Sequence, residues 1–90
     1  MSEETKPIEV RVLFFGAARD VVGKAELQFR LSQPATARSA FDELLAAYPD
    51  LSRFGRSLLL AVNQEYAPVN LEVRDGDELA LFPPVSGGIN

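Results

Sequence analysis

The sequence predicts an α+β domain in which a mixed four- or five-stranded sheet carries one main helix packed on one face. Three observations predict it. Residues 8–15 alternate with the period of a strand, residues 37–48 change to helical spacing, and the apolar segments after position 57 are short and divided by turn residues. One helix can cover only one face of a sheet, so this order of elements leaves the second face without a helix.

The first strand is the clearest element. Ile8, Val10, Val12 and Phe14 point one way, whereas Glu9, Arg11, Leu13 and Phe15 point the other. Gly16 and Gly23 then bracket a connection through Arg19 and Asp20 that reads as a loop. It lacks the glycine spacing of a phosphate cradle. Leu27, Phe29 and Leu31 alternate with Gln28, Arg30 and Ser32, which makes a second strand and a first hairpin.

In the helix, Ala37, Phe41, Leu44, Leu45 and Tyr48 recur at helical spacing, with Arg38, Asp42 and Glu43 on the other side. Thr36 supplies an N-cap, although Ser39 stands where a capping box would want Glu or Gln. Pro49 disfavours helical geometry at Tyr48, so the helix ends by that residue. Leu51 and Phe54 tack an irregular Asp50-to-Gly55 loop or short turn onto the core.

Ser57 to Val62 reads as a buried strand, followed by turn chemistry at Asn63-Gln64. Leu71 and Val73 form a short strand, and Asp75-Gly76 reads as a hairpin turn rather than as part of a cation-binding carboxylate cluster with Asp77 and Glu78. Glu78 to Phe82 is the last strand, which Pro83 and Pro84 terminate by removing two amide donors. This order is that of a β-grasp, or ubiquitin-like, domain over residues 8–82. A flexible lead-in at 1–7 precedes it and an extended tail at 83–90 leaves its last strand.

Composition narrows the function. Ninety residues, 47% hydrophobic and 24% charged, make one ordinary globular domain. The chain has no cysteine and no histidine, which removes a catalytic thiol, the commonest transition-metal ligands and the usual neutral-pH general base. A self-contained hydrolase or zinc enzyme is disfavoured, and a substrate or partner of other proteins is favoured. Nine basic residues against thirteen acidic ones give a net charge of −4 with no basic cluster to track phosphates, so nucleic acid is not an expected partner. No apolar run approaches the length of a membrane span, and the first seven residues fit no secretory or transit signal, so the expected location is the cytoplasm.

Two further features bear on function. Phe15 and Phe82 fall on the parity of their strands that faces away from the core, and Tyr66 follows the Asn63-Gln64 turn. From pattern alone, display as a partner surface and burial under loops are both open. The second feature is the ending Phe82-Pro83-Pro84-Val85-Ser86-Gly87-Gly88-Ile89-Asn90. Bare glycines can thread a channel too narrow for side chains, although terminal residues are also commonly small and mobile.

Taken with Val10 to Gly16, Ala61 to Tyr66 and Asp75 to Glu78, this ending resembles the small, sulfur-carrier subunits of molybdopterin synthase. The resemblance implies a β-grasp protein whose terminal glycine, here Gly88, is adenylated by a ubiquitin-activating-type adenylyltransferase and converted to a thiocarboxylate. It implies a tail of Pro83, Pro84, Ser86 and Gly87 that enters the large subunit and gives sulfur to a cyclic pyranopterin precursor. Phe15, Tyr66 and Phe82 map onto the family's contact with that subunit, in a heterotetramer, which favours display. The chain would be a non-catalytic sulfur donor with no bound cofactor and no metal site, ATP being used by the activating partner. A thiamine-pathway sulfur carrier and a ubiquitin-like protein modifier are the alternatives. Relative to the family pattern, Ile89 and Asn90 are extra: a precursor's trimmed end, a linker to a fused subunit, or residues added by cloning.

Overall fold

The computed structural model describes residues 6–83. Strand β1 (Ile8–Phe14) is followed by helix α1 (Gly16–Val22), strands β2 (Glu26–Leu31) and β3 (Ala35–Thr36), and helix α2 (Ala37–Ala47). A 3-10 helix (Pro49–Ser57) then leads into β4 (Leu59–Val62), β5 (Glu65–Tyr66), β6 (Glu72–Val73) and β7 (Glu78–Phe82). Five strands form one sheet in the order β2-β1-β7-β4-β5, and β3 pairs with β6 in a separate two-stranded ladder. The central pair β1 and β7 is parallel, while β1–β2, β4–β7 and β4–β5 are antiparallel. This mixed sheet with α2 on one face is the β-grasp arrangement.

Alternation decides which face is covered. Val10, Val12, Phe14, Leu79 and Leu81 join Ala40 and Leu44 of α2 in one buried cluster. Phe14 also meets Tyr48 edge to face, with ring centroids 6.1 Å apart.

Several elements differ from the sequence expectation. The Gly16-to-Gly23 connection is not a loop but a two-turn helix, with Phe15 as an extended N-cap and Gly23 in the left-handed region at φ 85°. Gly23 donates to the Arg19 carbonyl and closes the helix, which seats Ala18 in the core. Ser39 completes a capping box after all. Its hydroxyl accepts from the Thr36 amide at 2.9 Å while the Thr36 hydroxyl accepts from the Ser39 amide at 3.1 Å. The segment after Pro49 is a 3-10 helix that buries Leu51 completely.

Asp75-Gly76 is a turn, with the Asp77 amide donating to the Arg74 carbonyl and Gly76 at φ 89°, but it does not join a hairpin. The strands on either side belong to different sheets: β6 pairs with β3, and β7 with β1 and β4. The turn docks on β1 instead, through Glu9 donating to Asp75 and accepting from Gly76. A tight hairpin turn does form one step earlier, at Asn63 and Gln64, where both φ values are positive. Leu71 stays outside the strand and is 38% exposed.

Candidate functional site: an aromatic cluster on the uncovered face

The face of the sheet opposite α2 is built from the alternate residues of the same strands. The register sets Arg11 beside Glu78 and Leu13 beside Ala80 across β1 and β7. It sets Phe82 beside Leu59 and Ala80 beside Ala61 across β7 and β4, and Ala61 beside Tyr66 across β4 and β5. Phe15 continues this row past the end of β1, held by its amide donating to the Leu81 carbonyl at 3.0 Å.

The structure brings together all three aromatics that the sequence singles out. Phe82 is the centre of the group, 6.5 Å from Phe15 in an edge-to-face contact and 5.9 Å from Tyr66 in a tilted one. Phe15 is 49% and Tyr66 71% exposed, so the rings touch one another without being covered. They wall a shallow depression of about 460 Å³ whose floor includes Leu13, Ala61 and Ala80. These three were not among the singled-out residues. The available signal was parity: Leu13 shares a face with Phe15, and Ala80 with Phe82.

At the other end of this face lies a small charged group. Arg11 donates to Glu78 at 2.8 Å and stands 3.8 Å from Glu26. The hydrogen bond it donates to Glu78, and then the charges of Glu26 and Glu78, raise the Arg11 pKa above its ordinary value, so the guanidinium stays charged. The uncovered face therefore grades from an ion cluster to an aromatic patch. Such a gradient fits an apolar contact with a polar rim.

Asp75 and Asp77 serve the backbone: Asp75 accepts from the Glu9 amide, and Asp77 from the Arg74 amide and the Asn63 side chain. Among the described residues no three carboxylates come together in a way that could hold a metal ion. No described helix is long and apolar enough to cross a membrane.

Pro83 roots the tail. A Cβ at Gly16 would stand 3.8 Å from the Pro83 Cγ and Cδ, and Gly16 holds φ 56°, so the first residue of the tail lies over the sharp bend that opens α1. Pro84, Ser86, Gly87 and Gly88 lie outside the described residues.

The chain is 36% identical over 87 residues to the molybdopterin synthase sulfur carrier subunit of Arabidopsis thaliana, covering 97% of this chain and 91% of that protein. Among solved structures, the putative molybdopterin converting factor subunit 1 of Pyrococcus furiosus superposes with a TM-score of 0.78 at 26% identity, covering 87% of this chain and 99% of that one. The crystal structure of Haloferax volcanii small archaeal modifier protein 1 gives the same TM-score of 0.78 at 30% identity, again covering 87% and 99%. The family model that matches is the ThiS family, over residues 12–88, a span that begins inside β1, takes in the whole aromatic cluster and reaches the second glycine of the tail. The chain belongs to the ThiS family, alongside curated sulfur carrier subunits of molybdopterin synthase.

Proposed function

We propose that this chain is the sulfur-carrier small subunit of a molybdopterin synthase and that Gly88 carries the sulfur. The observation that supports this most directly is the junction at the end of β7. Phe82, the central ring of the exposed cluster, is followed immediately by Pro83, where the diglycine tail begins. A partner that covers the cluster is then placed to receive the tail.

The chemistry follows from what a carboxylate cannot do unaided. It is a poor acyl donor, so it must first gain a leaving group. On a ubiquitin-activating-type adenylyltransferase, the Gly88 carboxylate attacks the α-phosphorus of ATP and expels pyrophosphate. A sulfide-level nucleophile then forms the C–S bond as the C–O bond to AMP breaks. The thiocarboxylate sits at the end of a stem, Gly87, that carries no side chain, while Pro83 and Pro84 restrict the direction of exit by fixing φ. In the large subunit the sulfur passes to a cyclic pyranopterin precursor. Bases and anion-binding groups belong to the partners, ATP is consumed by the activating enzyme, and the carrier itself binds no cofactor.

In the sequence as given, Gly88 is joined by a peptide bond to Ile89, which leaves no carboxylate to adenylate. A chain ending at Gly88 is therefore expected to accept sulfur, and one ending at Asn90 is not. Intact mass after incubation with activating enzyme, ATP and a sulfur donor tests both statements: the Gly88 form should gain the difference between sulfur and oxygen. Equal adenylation of the two forms would refute this account of the tail.

The likeness to small archaeal modifier protein 1 supports a second reading, in which Gly88 is joined to lysines of other proteins. A ladder of target proteins that survives denaturant would favour it. A stable complex with a large synthase subunit favours the carrier.

A further inference from the structure

We infer that the free edge of β2 is a self-complementary surface through which two copies of this chain pair, in antiparallel fashion about a two-fold axis at Gln28. Among the described residues, β2 is the outermost strand of the five-stranded sheet and pairs only with β1. The Phe14 amide donates to the Ala25 carbonyl, and this pair continues by one step the β1–β2 register that ends at Leu13 opposite Glu26. In an antiparallel ladder, hydrogen-bonded and non-bonded pairs alternate. Ala25, Leu27, Phe29 and Leu31 therefore turn their backbone groups toward β1, whereas Glu26, Gln28 and Arg30 turn theirs to the free edge.

An edge of this kind is a template for another strand, and natural proteins commonly guard it with charge. Here the guard is complementary to itself. Setting Gln28 against the partner's Gln28 matches every outward residue with an outward residue, and places Glu26 against the partner's Arg30 and Arg30 against the partner's Glu26. Leu27 then meets the partner's Phe29 on the face that carries α2, and both residues are only partly buried in the single chain. Other registers are poorer. Centring on Glu26 or on Arg30 opposes like charges, and centring on Leu27 sets Arg30 against the partner's Lys24. A shift by one residue sets outward backbone groups against inward ones.

Existing ion pairs extend the match. Arg30 stands 3.7 Å from Glu9, and Arg11 lies between Glu26 and Glu78. Across the joined sheets, the uncovered face would carry Glu9, Arg30, the partner's Glu26, the partner's Arg11 and the partner's Glu78, alternating in sign along the row. Opposite charges on facing strands attract and like charges repel. The edge lies beyond β1 from β7, β4 and β5, so pairing leaves both aromatic clusters uncovered. One strand pair is a small contact, which implies a weak and reversible dimer.

Sedimentation equilibrium on the full chain, from micromolar to millimolar concentration, tests the inference. The expected result is a monomer–dimer equilibrium in which Arg30→Glu alone or Glu26→Arg alone weakens association roughly tenfold or more. An equimolar mixture of the two variants should then recover it, because the mixed pair again sets opposite charges across the edge. Circular dichroism of each variant checks that it remains folded. In the unaltered chain, amide exchange at Glu26, Gln28 and Arg30 should slow as concentration rises, with no change at Leu27 and Phe29. A chain that stays monomeric throughout, whether the edge faces solvent or awaits a foreign strand, overturns the inference. So does a dimer that neither charge reversal weakens, or one that the mixture fails to restore.

Discussion

The two faces of the central sheet are made by the same strands and behave oppositely. On one, Phe14 and Leu81 are 1% and 0% exposed beneath α2. On the other, the adjacent residues Phe15 and Phe82 lie in an open cluster, Phe15 being 49% exposed. Composition does not separate them, since both faces hold large apolar side chains. What separates them is the number of helices available, one main helix for two faces. An apolar side chain left open on the uncovered face, such as Phe15, therefore contributes less to folding than one beneath α2 and is available to a partner.

The largest effect should come from the covered face. Phe14→Ala removes a fully buried ring and its edge-to-face contact with Tyr48, and should cost ~3–5 kcal/mol of stability. Denaturant titration measures it. A loss below about 1 kcal/mol would mean that the cluster under α2 is not the main source of stability.

Next is the uncovered face, read by binding instead of stability. Phe82→Ala should weaken association with the large synthase subunit by about 2 kcal/mol, roughly thirtyfold, because Phe82 is the ring that both Phe15 and Tyr66 touch. Its unfolding midpoint should move far less than that of Phe14→Ala. Calorimetry giving unaltered affinity for a well-folded variant would remove the cluster from the proposed interface.

The contrast between faces was readable in the sequence because alternation acts on every residue of β1 and β7, and a slip of one position would exchange the faces. Other elements left weaker marks. Helix α1 is only seven residues long, begins at Gly16, ends at Gly23 and has no side-chain cap at Phe15, so its glycines imitate a loop. β3 and β5 have two residues each, too few for any period. Asp75-Gly76 signals a turn correctly but cannot say which strands that turn connects, because the pairing of β3 with β6 is set by contacts distant in sequence. The aromatic cluster was partly legible. Parity gave the direction of Phe15 and Phe82, whereas the meeting of Tyr66 with Phe82 depends on the positive φ values of Asn63 and Gln64 that fold β5 back onto β4.

A smaller effect should come from the start of the covering helix. Thr36→Ala removes one half of the capping box and leaves the Ser39 amide without its acceptor, at a cost of ~1 kcal/mol. Because the change acts through α2, it should lower the unfolding midpoint and leave partner affinity intact. If affinity fell in proportion to stability, the two faces would be coupled more tightly than this fold implies.

The smallest effect should come from the outer side of α2, which packs on neither face. Arg38 and Asp42 stand one turn apart with N–O separation 3.4 Å, and their side chains are 68% and 59% exposed. Water screens such a pair, and holding two long side chains in one geometry costs entropy that offsets most of the attraction. A double-mutant cycle with Arg38→Ala and Asp42→Ala should give a coupling of only ~0.3–0.5 kcal/mol, shrinking as salt is added. The same reasoning orders three regions of the molecule by expected effect: side chains under the helix should weigh most on stability, those on the bare face on the proposed association with a large subunit, and those on the outside of the helix on neither. A salt-independent coupling above about 1 kcal/mol would break that order, because an exposed pair would then contribute as much as the helix cap.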